Sequence, residues 1–334
     1  MTCALCVERE ANKKNTHYLS DGIIRQCLNI DGSNDRERGF YFDISNDNPF
    51  VEFNFQRLDE VTLENSLGRP ATDEEIESAK QIPFSVDYVF CKECEDIFTE
   101  TESSFTASIL PQLRGSDLTD LTSISFEDNI LIRMFCYIQL WRNSICEEVF
   151  NLPDDIKERL RLIILNKSDE GINDLPLSVS YLETLGGNKA FTENFVGSAS
   201  GTNPFIIFMN DLVIQFYSSQ EAVKFEHFFG LNRVDFNDYI NRNEEEFIVK
   251  ILTNVERKTL LKEYIYSEKV RISLSFMEET LQKIWLRLFN TYPPLPVKND
   301  YKYGLIGKDT SNVLKYSKDQ ILTYTSDFIW NRVK

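Results

Sequence analysis

Histidine is the scarcest side chain with acid–base chemistry here: two in 334 residues, His17 and His227. Chemistry that needs an imidazole near neutral pH must therefore pass through one of these two. Long apolar runs are missing as well. The most apolar window, ILIRMFCYIQLW from Ile130, is too short to span a bilayer and contains Arg133. Positive charge is in deficit: 36 Lys and Arg face 53 Asp and Glu, for a formal net charge of −17. That balance argues against autonomous binding to nucleic acid, because phosphate contacts need cations. Two short stretches, ERKTLLKEY from Glu256 and KKNTH from Lys13, form either local basic surface or ordinary solvated faces. The first residues carry Cys3, Cys6 and Glu8 where a secretory leader needs a basic stretch and an apolar run. No internal repeat or low-complexity tract is visible. These absences lead to the expectation of a cytoplasmic protein with no membrane attachment. The acidic balance suits a subunit of a larger complex that a basic partner brings to its target.

What is present begins with a core. The chain is 42% hydrophobic, enough for one large domain or two of ordinary size. Residues 1 to about 60 are polar and turn-rich (NIDGSNDRERGF, DISNDNPF). The stretch RPATDEEIESAKQIP offers Thr72 or Asp73 as a helix cap and stops before Pro83. FSVDYVF alternates like a strand leading into Cys91. Beyond Cys94, SFEDNILIRMFCYIQLWRNSICEEVF is apolar on most of its surface and predicts a central helix. LPDDIKERLRLIIL and SEKVRISLSFMEETLQKIWLRLFNTY predict two more, the second ended by Pro293 and Pro294. NPFIIFMNDLVIQFYSS predicts a β-hairpin turning at Asn210 and Asp211. The expected class is α+β, in three parts. A small metal-stabilised module spans 1–115, a larger, mainly helical domain with the hairpin spans 116–297, and a polar extension spans 298–334. Tyr217, Phe229, Trp285 and Trp330 read as core aromatics rather than base-stacking platforms.

The seven cysteines carry the strongest signal. Cys3–Cys6 and Cys91–Cys94 are two Cys-x-x-Cys pairs, whereas Cys27, Cys136 and Cys146 are scattered. An odd count in a reducing compartment argues for metal ligation over a disulfide framework. Zinc wants four tetrahedral ligands, and two such turns supply four thiolates. The 84 residues between Cys6 and Cys91 add only logarithmically to the cost of closing that loop, which metal binding can offset. A redox pair and four unligated core cysteines are the alternatives. The strand–helix pattern of a thioredoxin-like fold is missing around either pair.

His17 follows the first pair in KKNTHYLSD, and Glu95 and Glu102 follow the second in CKECEDIFTETE. By themselves, His17 reads as a surface residue or spare ligand, and the two glutamates, seven apart, as one face of a helix. His227, among aromatics in VKFEHFFGL, reads as packed or surface. Together CALC, THYLSD and CKECEDIFTETE resemble the zinc-containing branch of the HNH (ββα-metal) nucleases, over roughly residues 1 to 105. YIQLWRNS around Trp141 is more weakly similar to the helix that follows in those proteins. The resemblance implies a treble-clef-like ββα-metal module with structural zinc on Cys3, Cys6, Cys91 and Cys94. It makes His17 the general base that activates water against a DNA phosphate, with Mg2+ or Mn2+ on Glu95 or Glu102. It implies an endonuclease, the effector of a bacterial anti-phage or mobile-element system. Thr16 stands where an Asp ligand is expected, Ser20 where a Pro is usual, and the histidine-orienting Asn falls among Asn46, Asn48 and Asn54. The other readings are a catalytically degenerate zinc scaffold serving as an interaction subunit, and a helical regulatory protein without nucleic-acid contact.

Overall fold

The computed structural model is α+β, with eleven α-helices and two β-sheets among the residues it describes. These are residues 1–28, 40–43, 52–55, 59–80, 84–148, 150–183, 195–199, 204–221, 238–242, 245–264 and 269–333. None of the described helices is long and apolar enough to cross a membrane. The chain forms two compact units: Met1–Asn46 with Phe53–Arg257, and a second whose main part is Lys258–Lys334.

The first unit holds both sheets. Strands β1 (Thr16–His17) and β4 (Ser85–Val86) make a two-stranded antiparallel pair. The large sheet is mixed. It uses β2 (Phe40–Asp43), β3 (Glu52–Phe55), β5 (Ser123–Phe126), β6 (Leu177–Leu182), β7 (Phe195–Ala199), β8 (Phe205–Met209), β9 (Leu212–Phe216) and β10 (Phe247–Leu252), in the order β3-β2-β7-β8-β9-β6-β10-β5. The hairpin read from the sequence is β8–β9, with Met209 opposite Leu212 and Asn210 in the left-handed region at φ 57°. Asn tolerates that conformation better than most residues. The hairpin lies in the middle of eight strands. β8 and β9 are apolar at nearly every position and buried throughout, as strands covered on both faces must be.

The central helix, α6 (Asn129–Cys146), packs on one face of this sheet, with Tyr137 edge-on to Phe216 at 6.2 Å. It starts later than the sequence pattern suggests. Asp128 caps it by accepting the Leu131 N–H at 3.0 Å, and Ser123–Phe126 pair with β10 instead. The fully buried Arg133 donates to the Leu175 carbonyl at 3.0 Å and the Arg242 carbonyl at 2.6 Å, which is how a cation sits inside so apolar a helix. Beside α6 lie α4 (Lys92–Ser108) and α7 (Asp154–Asn166). Elsewhere α3 (Asp73–Lys80) opens on a reciprocal capping box. Thr72 Oγ1 accepts the Glu75 N–H at 3.2 Å, and Glu75 accepts the Thr72 N–H at 2.9 Å. The second unit is helical, with α9 (Val270–Phe289), α10 (Leu295–Ile306) and α11 (Lys318–Val333) around Met277, Tyr301, Val313 and Ile321.

One ion pair ties the first unit together. Arg114, closing α5 (Leu110–Arg114), grips the fully buried Asp211 of the hairpin turn at 2.5 and 2.7 Å. It also donates to the Ile23 carbonyl in α1 (Asp21–Leu28) at 2.7 Å. Removing one partner of a buried pair leaves a charge out of water, at about 3–5 kcal/mol. Arg114→Ala is therefore expected to lower the thermal midpoint by roughly 10 °C, measured by circular dichroism. Adding Asp211→Asn to that variant restores part of the loss; a single variant that melts like the native protein contradicts the assignment.

Candidate metal centre and adjoining cleft

The first knuckle is a tight turn. Cys3 donates its N–H to the Arg9 carbonyl at 2.7 Å, Val7 donates to the Cys3 carbonyl at 2.9 Å, and Val7 takes a left-handed φ of 58°. In the second, Cys91 is the N-cap of α4 and Cys94 lies in its first turn, where the helix dipole favours negative sulfur. All four cysteines are buried, and their Sγ atoms lie within 4.8 Å of one another. Four thiols at that spacing can hold a zinc ion. Arg9 faces the cluster, with its backbone N–H 3.5 Å from Cys6 Sγ and Nη1 3.7 Å from Cys91 Sγ. Burial opposes ionisation of Cys6, but the Arg9 and Glu8 backbone N–H groups outweigh it and bring the thiol to about 7. Burial pushes Cys91 and Cys94 up, with neighbouring thiols adding to Cys94. A bound divalent cation reverses that by deprotonating its thiol ligands.

The knuckles are zipped to the strand pair. Ala4 donates to the Val89 carbonyl at 3.0 Å, Lys13 to Phe90 at 3.1 Å, Tyr88 to Lys13 at 2.7 Å and Tyr18 to Phe84 at 2.8 Å. Only Ser85 and Val86 of the expected FSVDYVF strand pair as a strand; the carbonyls of Val89 and Phe90 serve the first knuckle and the chain leaving it. His17 stands at the end of β1, opposite Ser85.

A cleft of about 480 Å3 opens beside His17, lined also by Asp21, Glu95, Glu102 and Arg142. Helix α4 is fixed by aromatic packing. Phe90 meets Phe98 edge-on at 5.2 Å, and Phe105 stacks on Phe135 of α6 at 3.9 Å. This places the first turns of α4 against the segment after His17. From α6, Gln139 Oε1 accepts the Ser20 N–H at 2.9 Å, and Asn143 Nδ2 donates to the Tyr18 carbonyl at 3.4 Å. The backbone on either side of Tyr18–Ser20 is thus pinned without use of the imidazole. His17 Nε2 lies 4.0 Å from Asp21 Oδ1, four residues on.

The two glutamates differ. Glu102 accepts from Gln139 Nε2 at 2.8 Å and Arg142 Nη1 at 2.7 Å, so its carboxylate is engaged. Glu95 Oε2 is buried with no hydrogen-bond partner. Burial raises the Glu95 pKa, against the pull of Arg142. A buried, unpaired carboxylate oxygen facing a polar cleft is the kind of donor a hard cation satisfies.

The structure therefore gathers all seven sequence-selected residues into one region: four sulfurs in one cluster, and His17, Glu95 and Glu102 on one cleft. Thr16 is buried, its hydroxyl oxygen has no partner, and it is not part of the cleft lining. Asn54 lies on β3 of the large sheet, and Asn46, Asn48, His227 and Phe229 fall outside the described residues. Tyr217 is buried and Trp285 half-buried, as expected of core residues, but Trp330 is 61% exposed. Asp21, Gln139 and Arg142 were not singled out by the sequence. Asp21 sits four residues past His17, and Gln139 and Arg142 are polar positions in an apolar helix, which must find buried partners. No family model matches this chain, and no curated protein or solved structure matches it.

Proposed function

We propose that this protein is a metal-dependent endonuclease of the HNH type that hydrolyses DNA phosphodiester bonds, acting as an effector within a larger assembly. One observation carries the reading. His17, at the end of a two-stranded β-pair, shares a cleft with Glu95, whose Oε2 has no hydrogen-bond partner, in the first turn of the helix that carries the second cysteine pair of a four-cysteine cluster. In this reading the neutral imidazole of His17 takes a proton from water as the oxygen attacks phosphorus. The bond from phosphorus to the leaving oxygen then breaks. The Asp21 carboxylate, 4.0 Å away, stabilises the imidazolium that forms. Arg142 and Gln139 hold Glu102 and leave Glu95 as the carboxylate open to a cation. A bound Mg2+ or Mn2+ would supply charge neutralisation at the phosphate and the leaving oxygen.

Glu95→Gln keeps shape and removes charge. Metal-dependent nicking of supercoiled plasmid is expected to fall on the order of 100-fold, with more metal needed for half-maximal rate. Unchanged nicking with an unchanged metal response removes Glu95 from the site. A second reading, a zinc scaffold without catalysis, draws on a different observation. Among the described residues, only the four cysteines bring three or more potential ligand atoms together.

A further inference from the structure

The acidity of the chain is not spread evenly along it. Residues 258–334 hold 13 Lys and Arg against eight Asp and Glu, a net charge of +5, while the remaining residues hold 23 against 45, a net of −22. Part of that positive charge lies on and just after α10. Lys298 and Lys302 are four residues apart and share a face of that helix, and Lys308 follows its end. Lys298 and Lys302 are about 6 Å apart along the helix axis, and Lys308 lies two residues past its last turn. The acids nearby are already engaged. Asp300 pairs with Arg332 at 3.0 Å, and Asp309 accepts the Ser311 N–H at 2.9 Å and hydroxyl at 2.7 Å. Lys298 and Lys308 have no ion-pair partner among the described residues. Lys302 has only Glu278 at 3.5 Å, with both side chains substantially exposed, and such a pair contributes little and yields readily to a stronger anion. Tyr303, 60% exposed, projects from the same helix.

We infer that the α10 lysine row of the second unit is a docking surface for the phosphate backbone of duplex DNA. Duplex DNA carries one charge per about 1.7 Å of axis, so a row of this length faces several phosphates. A −22 remainder repels DNA, and a local cationic stripe is what allows such a chain to meet it. The inference takes DNA as the polyanion from the nuclease reading above, and it predicts binding independently of cleavage. It also gives a helix outside the cleft a share of the targeting that the overall charge assigns to a partner.

The test is fluorescence anisotropy of a labelled duplex with the zinc-loaded full chain, without Mg2+ or Mn2+, across a salt series. The triple variant Lys298→Gln, Lys302→Gln, Lys308→Gln is expected to bind more weakly, with a slope of log affinity against log salt lower by about 2–3, near 0.9 for each lost contact. Glu278→Gln, which frees Lys302, is expected to bind tighter. A triple variant that keeps the wild-type affinity and slope overturns the proposal, as does a wild-type protein that fails to bind duplex at low salt. If the triple variant instead changes oligomeric state by sedimentation with DNA binding intact, the row serves a protein surface and the proposal falls. Salt-sensitive binding in this assay, with no nicking by the wild-type protein once Mg2+ or Mn2+ is added, leaves this surface standing and removes the nuclease reading.

Discussion

Cys94→Ser is expected to lose zinc and, with it, the fold of the N-terminal region. The reason is how little regular structure the two knuckles have of their own, although Leu5, Tyr18, Leu19 and Phe90 nearby join the main core. β1 and β4 are two residues long, and the backbone bonds beyond them are single ones such as Ala4 to Val89 and Lys13 to Phe90. Two strands of that length are not stable by themselves. Structural zinc contributes on the order of 10–16 kcal/mol of apparent binding free energy in small domains, far more than those few bonds. Without the ion, four buried thiols remain, two of them pushed up by burial. Metal analysis should give one zinc per chain for the native protein and none for the variant. Hydrogen exchange should show the Ala4, Lys13 and Tyr88 amides losing protection in the variant while α6 and the large sheet keep theirs. A variant that retains both zinc and protection contradicts the four-sulfur centre. Cys136 is not available as a substitute ligand. It is buried within α6, where burial pushes its thiol up.

His17→Ala is expected to reduce plasmid nicking by about 10²–10⁴-fold, the range for loss of a positioned general base, at unchanged zinc content. The structure makes this a clean substitution. The segment that carries His17 is held by the Tyr18 carbonyl and the Ser20 N–H on Asn143 and Gln139, and β1 by pairing with β4. Removal of the imidazole therefore leaves the Glu95–Glu102–Arg142 side of the cleft in place. Added imidazole should restore part of the rate, because the emptied position opens on the cleft. Nicking equal to wild type places the base elsewhere.

The parts of this architecture that were legible in the sequence are those set by spacing. Cys-x-x-Cys encodes a knuckle within four residues, and a run such as NPFIIFMNDLVIQFYSS encodes both strands and the turn of a hairpin. The glutamates seven apart on α4 do share the cleft, because helical periodicity alone places them. The large sheet was under-read because its partners are remote. β6 is paired in parallel by β10 and antiparallel by β9, and β5 owes its existence to β10 rather than to its own residues. Ser125 and Phe126 merged into the helix pattern behind them for that reason. The basic stretch after Glu256 shows the same limit. Arg257 is fully buried and donates to the Asn210 carbonyl and side-chain oxygen, both at 2.7 Å, so it secures the hairpin turn and offers nothing to solvent. Likewise, Glu102 looked as available as Glu95 until α6 supplied Gln139 and Arg142. Charge in a sequence is a count, and its availability is settled by what folds over it.

The cleft and its metal centre draw on residues from Cys3 to Arg142. A ribosome making this protein must release more than a quarter of the chain before the first knuckle meets its partner, and still more before α6 arrives to pin the histidine segment. Until then the nascent chain has neither a complete set of sulfurs nor a shaped cleft. If His17 is a catalytic base, it is silent throughout synthesis, and a truncated product ending before α6 carries the histidine without the site. Such a late, long-range assembly also predicts slow refolding, since distant contacts must form before any is rewarded. Activity should therefore recover after secondary structure does when zinc is restored to the unfolded protein.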